Sequence, residues 1–170
     1  MSARSSIKAL VALLVGALFL AGCASPRYTY RYVPGKTATL VSGCAEAPPA
    51  APDNVKIAIA AANRIVGSPY VYGGGHGRGS EGGFDCSGTA SYVLQAAGLL
   101  EAPMPSRDFR RYGASGEGKW ISVYARKGHV FLVIAGLRLD TGYTGEAEGP
   151  RWTTRDRPAP GAVIRHPAGA

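Results

Sequence analysis

The chain has 170 residues, a formal net charge of +8 and three cysteines. That length points to one domain, and a hydrophobic content of 46% is ordinary for a globular protein. The apolar run Ala9 to Leu20 covers 12 residues, well short of the ~20 a membrane-spanning helix needs, so that class is excluded for it.

From the N-terminus, Arg4 and Lys8 form a short basic region ahead of "ALVALLVGALFL", the pattern of a secretory signal. Leu20-Ala21-Gly22-Cys23 closes the run and resembles the lipobox of bacterial lipoprotein signal peptides. The resemblance implies that residues 1–22 are removed and that Cys23 is lipidated. Its acyl chains would hold the protein to a membrane. Ala24 and Ser25, with no Asp after the cysteine, imply passage to the outer membrane where the host has one. A plain signal peptide that leaves Cys23 as a free thiol is the other reading. Beyond residue 22 the balance is 17 basic against 11 acidic residues. Such a surface suits anionic polymers. For an exported chain these are envelope components rather than nucleic acid, unless the charge serves solubility alone.

Residues 23–52 read as a lipid-anchored tether. "AEAPPAAP" (45–52) is Pro/Ala-rich and expected to be extended and semi-rigid, and "YTYRYV" (28–33) alternates weakly, as a short strand would. From Asp53 the texture changes. "DNVKIAIAAANRIVG" predicts a helix capped by Asp53 or Asn54, with Ile57, Ala61 and Ile65 on its apolar face and Gly67 as its stop. A glycine-rich loop follows, then a second helix over Asp85–Ala97, with Ala90, Val93, Leu94 and Ala97 at helical spacing and Gly98 behind it. Residues 101–119 read as irregular. "KWISVYA" (119–125), "HVFLVIA" (129–135), "LRLDT" (137–141) and the later "AVIRHP" read as strands. Helices first and antiparallel strands after them give an α+β domain over residues 53–170.

The glycine loop raises two chemistries. Gly77-Arg78-Gly79-Ser80-Glu81-Gly82 matches the spacing of a dinucleotide-binding turn. That turn needs its last glycine at a helix start and an acid at the end of a following strand. Here the helix starts later, Glu101 directly follows it, and no Gly-Lys-Ser/Thr phosphate loop is present. The second chemistry has more parts. Asp85 is a good N-cap, which sets Cys86 in the first turn of a helix, where amides and the helix dipole favour an anion. A thiolate, not a thiol, attacks carbonyl carbon. The backbone N–H of Cys86 is placed to help an oxyanion. A nucleophile needs a base, and His129 opens a strand behind Gly128. If Ala135-Gly136 is a two-residue turn, paired positions sum to 271. His129 and Asp140 then share one face of the sheet as diagonal neighbours. Nucleophile, base and orienter are thereby in reach of each other.

"GSPYVYGG", "GFDCSGTASYVLQAAGL" and "GHVFLVIAG", in that order, resemble the NlpC family of cell-wall cysteine peptidases over about Ile65 to Thr141. The resemblance implies a papain-like NlpC fold, with N-terminal helices packed on an antiparallel sheet. It implies Cys86 as nucleophile, His129 as base, Asp140 as orienter, Tyr70 as an oxyanion or substrate contact, and Asp85 and Ser87 as shapers of the peptide subsite. It implies hydrolysis of peptidoglycan stem peptides, most often between γ-D-glutamyl and a diamino acid, with no metal or cofactor. The family often has His where Asp140 stands. The Gly-Asp-hydrophobic strand usual before its catalytic histidine is replaced by "GKWISVYARKGHV".

Other readings stay open at this stage. His166 is a rival orienter, His76 reads as a solvated loop residue, and Trp152 as core. Cys44 reads as a bystander thiol, unless it bridges Cys86 and blocks it. A non-catalytic wall-binding lipoprotein, or an amidase or acyltransferase using the same cysteine, would share the sequence features. Either an unidentified regulatory partner or regulated localisation is expected, because uncontrolled wall hydrolysis is dangerous.

Overall fold

The computed structural model describes residues 25–77, 82–142 and 148–168. The expected signal peptide and Cys23 lie outside the described residues, and no described helix is long and apolar enough to cross a membrane.

The architecture is α+β. In chain order the elements are β1 (Arg27–Tyr28), β2 (Thr39–Val41), β3 (Cys44–Glu46), α1 (Asp53–Ile65), α2 (Cys86–Ala96), a 3-10 turn (Asp108–Arg111), β4 (Ala114–Ser115), β5 (Ile121–Arg126), β6 (His129–Ile134), β7 (Leu137–Asp140), β8 (Arg151–Thr153), β9 (Arg157–Pro158) and β10 (Val163–His166). Six strands form one antiparallel sheet in the order β4-β10-β5-β6-β7-β8, and β1-β9 and β2-β3 form two small ribbons.

The β6–β7 hairpin has the expected register. Leu132 pairs with Leu139, Val133 with Arg138 and Ile134 with Leu137. Its turn is closed by Ala135 and Gly136 at φ 46° and 77°, the two positive-φ residues that a twisted two-residue hairpin demands. Strand alternation then divides the sheet. Ile121, Val123, Ala125, Val130, Leu132, Ile134, Leu137 and Leu139 join the helices in the main core. Tyr124 and Phe131 face the other way, into a smaller cluster with Tyr28 and Ala159.

Helix α1 buries part of the expected face and more besides. Val55, Ala58, Ile59, Ala61, Ala62 and Ile65 are buried, so Ala61 and Ile65 lie as expected, while Ile57 is 47% exposed. Pro52 takes the N-cap position without a side-chain cap bond, so neither Asp53 nor Asn54 caps. The alanines decided this. They let the helix sit close to its neighbours along an Ala-rich stripe, which keeps Ala61 and Ile65 inside and turns Ile57 outward. Helix α2 buries Ala90, Val93 and Leu94 as expected, and Gly98 takes φ 69° just beyond it.

The segment read as a tether is built into the same body over residues 26–51. Tyr28, Ala38, Ala45 and Ala51 are buried. Tyr28 pairs with Arg157 across β1–β9, and Ala38 N–H donates to Ala135 O at 2.8 Å. Asn63 of α1 accepts from Ala45 N–H at 3.0 Å and from Trp152 Nε1 at 2.7 Å, and donates to Ala45 O at 2.9 Å. Trp152 is core, at 4% exposure.

Candidate active site

Cys86 is the first residue of α2, and the helix start is pinned by Asp85. The backbone of Asp85 is extended, and its Oδ1 accepts from Gly88 N–H at 2.7 Å and from Ser87 Oγ–H at 2.9 Å. Its Oδ2 accepts from Gly73 N–H at 2.9 Å, so one carboxylate ties the helix to the glycine loop. The glycines serve that tie. The Gly74 carbonyl accepts from Asp85 N–H at 3.2 Å, and a Cβ on Gly88 would run into that same carbonyl oxygen. Loop backbone thus lies directly on helix backbone.

Tyr70 is set beside this start by an isolated parallel bridge to Phe84. Phe84 N–H donates to Pro69 O at 3.0 Å, and Val71 N–H to Phe84 O at 3.3 Å. Burial pushes the Tyr70 phenol above its ordinary pKa, and the negative charges of Cys86 and Asp85 add to the push. It therefore remains a proton donor at neutral pH, next to the cysteine.

His129 stands at the margin of the sheet as the first residue of β6. Its Nε2 donates to Asp140 Oδ1 at 2.8 Å, which leaves Nδ1 free to face Cys86, the other group that interacts with the ring. Burial lowers the imidazole pKa, but the hydrogen bonds and charges of Asp140 and Cys86 outweigh it and push the value up to about 9. Asp140 has no exposed side-chain surface. It also accepts from Thr141 N–H at 2.8 Å, from Arg138 Nη1 at 3.0 Å, and pairs with Arg157 Nη1 at 3.4 Å.

The structure brings Cys86, His129, Asp140 and Tyr70 together. Asp85 and Ser87 adjoin Cys86, but both are buried, and their side chains bond to one another and to the loop and helix backbone. His166 lies elsewhere, with Nδ1 donating to Gly116 O at 3.1 Å, so it is not the orienter. Cys44 and Cys86 both carry free thiols, so no bridge joins them. His76 is not simply solvated. Its Nε2 lies 3.1 Å from Ser87 Oγ and 3.3 Å from Asp85 Oδ1, which fastens the loop to the helix start a second time. No sequence spacing signals that contact, because a loop turn creates it. Arg138 and Arg157 also escaped the sequence reading; only the strand parity of Arg138 with Asp140 hints at it.

Among the described residues, no group of three or more His, Cys, Asp and Glu could hold a metal ion. A surface concavity of about 440 Å³, lined by Arg27, Tyr28, Arg31, Lys119 and Trp120 among others, contains none of Cys86, His129, Asp140 and Tyr70. The chemistry of Cys86 and His129, not the size of a cavity, singles out this site. No family model matches the chain, and no curated protein matches it.

Proposed function

We propose that the chain is a membrane-anchored cysteine endopeptidase that hydrolyses peptide bonds in peptidoglycan stem peptides. One observation carries the reading: the His129 ring is held between buried Asp140 and Cys86, at the first turn of a capped helix. The substrate class rests on the resemblance of the motifs to NlpC peptidases, on the signal sequence and on the positive charge.

In this reading the Cys86 thiolate attacks the amide carbon, and the carbonyl π pair moves to oxygen. The Tyr70 hydroxyl and first-turn amides receive the developing oxyanion. The oxyanion collapses, the C–N bond breaks, and the His129 imidazolium gives its proton to the leaving amine. Neutral His129 then takes a proton from water as the hydroxide attacks the thioester. The acid product leaves, and the thiolate–imidazolium pair returns. Asp140 holds the ring and stabilises its charged form throughout. An amine or another acyl acceptor in place of water would make the same site a transferase.

The test is mass spectrometry of purified muropeptides incubated with the protein, wild type beside Cys86→Ala. Fragments that appear only with wild type are expected, and their masses name the bond. A product gaining an amine in place of water would mark a transferase. Sacculus binding without fragments from either protein would replace the peptidase by a tethering lipoprotein.

A further inference from the structure

We propose that Arg138 and Arg157 are positioning residues for Asp140, and that Tyr28 of the N-terminal segment completes their clamp. The segment ahead of α1 then belongs to the catalytic apparatus. The inference rests on the Cys86–His129 reading above and adds what fixes its third member.

The Asp140 carboxylate is fully buried, a costly place for a charge unless every acceptor site is used. Oδ1 takes the His129 ring and Thr141 N–H, both at 2.8 Å. Oδ2 takes Arg138 Nη1 at 3.0 Å and Arg157 Nη1 at 3.4 Å. Four contacts fill the roughly four lone-pair sites of a carboxylate. With two guanidiniums on the distal oxygen, the near oxygen is committed to the imidazole.

The arginines are themselves fixed by aromatic faces. The Arg138 guanidinium, with no exposed side-chain surface, lies 5.5 Å from the Tyr28 ring centroid and 5.7 Å from that of Phe131. Arg157 lies 5.8 Å from Phe131. Tyr124 stacks on Phe131 at 4.7 Å. Tyr28 is pinned by its hydroxyl, which donates to Gly136 O at 3.0 Å, and by the β1–β9 ribbon, where its partner is Arg157. One ribbon thus supplies both a lid over Arg138 and the second guanidinium. Among the described residues, the charged and titratable groups around the carboxylate are His129 on β6, Arg138 on β7, Arg157 on β9, Tyr28 on β1 and Arg151 on β8, the cross-strand partner of Asp140, whose own ion pair is with Glu148; Cys86 on α2 lies beyond His129 and Asp156 beside Tyr28. A buried carboxylate that loses a cation turns away or takes a proton, and either change withdraws support from the imidazolium.

The experiment is a proton NMR titration of the His129 ring in the purified full-length protein, which has only three histidines to assign. Arg157→Gln and Tyr28→Leu are each expected to lower the His129 midpoint by about one pH unit or more. Arg157→Lys should recover part of the drop. With muropeptide substrate, kcat should fall at little-changed KM. In an Asp140→Asn background, Arg157→Gln should add no further loss, because it acts through Asp140. An unchanged or higher His129 midpoint in variants that keep a cooperative melt overturns the clamp, as does an additive loss in the Asp140→Asn background. If Asp140→Asn itself leaves the midpoint in place, the His129–Asp140 coupling fails, and the clamp and the proposed triad fail with it. If the arginine and Tyr28 variants alone leave it in place, the triad stands without the clamp.

Discussion

Replacing Asp140 by Asn keeps an acceptor of the same shape beside His129 Nε2 and removes the negative charge. The wild-type imidazole titrates at about 9 against an ordinary 6.5. That rise of about 2.5 pH units corresponds to about 3 kcal/mol of support for the charged ring. Burial opposes the support and Cys86 supplies part of it, so without the carboxylate the midpoint falls toward 6.5. The reactive form needs His129 protonated, so the alkaline limb of kcat/KM should move from near pH 9 down toward pH 6.5. At pH 8 the protonated fraction drops from about nine-tenths toward about three-hundredths, a loss of up to roughly 30-fold, against less than about twofold at pH 6. Stability follows the same linkage. A folded-state value above the unfolded one contributes stability fully present below about pH 6.5, and that stability is lost as pH rises through about 9. Wild type should therefore lose stability across that window more steeply than Asp140→Asn. The assay is kcat/KM on a defined muropeptide from pH 5 to 10, with urea melts at the same pH values. Coincident alkaline limbs for the two proteins would refute the role given to Asp140.

Three further outcomes are expected. Gly88→Ala forces a Cβ into the Gly74 carbonyl, which also holds Asp85 N–H. It should destabilise by about 1–3 kcal/mol in urea melts and lower kcat/KM by more than that loss explains, because the nucleophile's helix start moves. Tyr70→Phe removes the phenol beside Cys86 and should cut kcat by about 100-fold while KM stays close to wild type; equal effects on both would assign it to ground-state binding. On α1, Ile59→Ala should cost about 2–5 kcal/mol, whereas Ile57→Ala, at an exposed position, should stay within about 0.5 kcal/mol, as thermal or urea melts will read.

The core of the candidate site was legible in the sequence because local rules fixed it. Asp85 before Cys86 is a cap signal, and the Ala135-Gly136 turn sets a register that carries His129 and Asp140 to one face. Both depend on a few adjacent residues. The N-terminal segment was not legible for the opposite reason. Its buried side chains, Tyr28, Ala38, Ala45 and Ala51, follow no period, and Pro/Ala-rich sequence reads as extended whether or not a surface waits to receive it. Its docking is set by long-range partners: Arg157, Ala135 and Asn63. On α1 Ala61 and Ile65 are buried as expected, and Ile57 alone was misassigned, because buried alanines carry no strong hydropathy signal yet help decide which side approaches closely. His76 is placed by loop geometry, and the arginines on Asp140 are placed by sheet parity and a ribbon seen only in three dimensions.

The most direct test of the central claim, that His129 activates Cys86, is the rate of iodoacetamide alkylation of each thiol from pH 5 to 9, read by peptide mass spectrometry. Cys44, an exposed free thiol, is the internal standard. At pH 6 Cys86 is expected to react at least about tenfold faster than Cys44, and His129→Asn should remove that advantage. Equal rates for the two cysteines across the range, or an advantage that survives His129→Asn, would contradict the account.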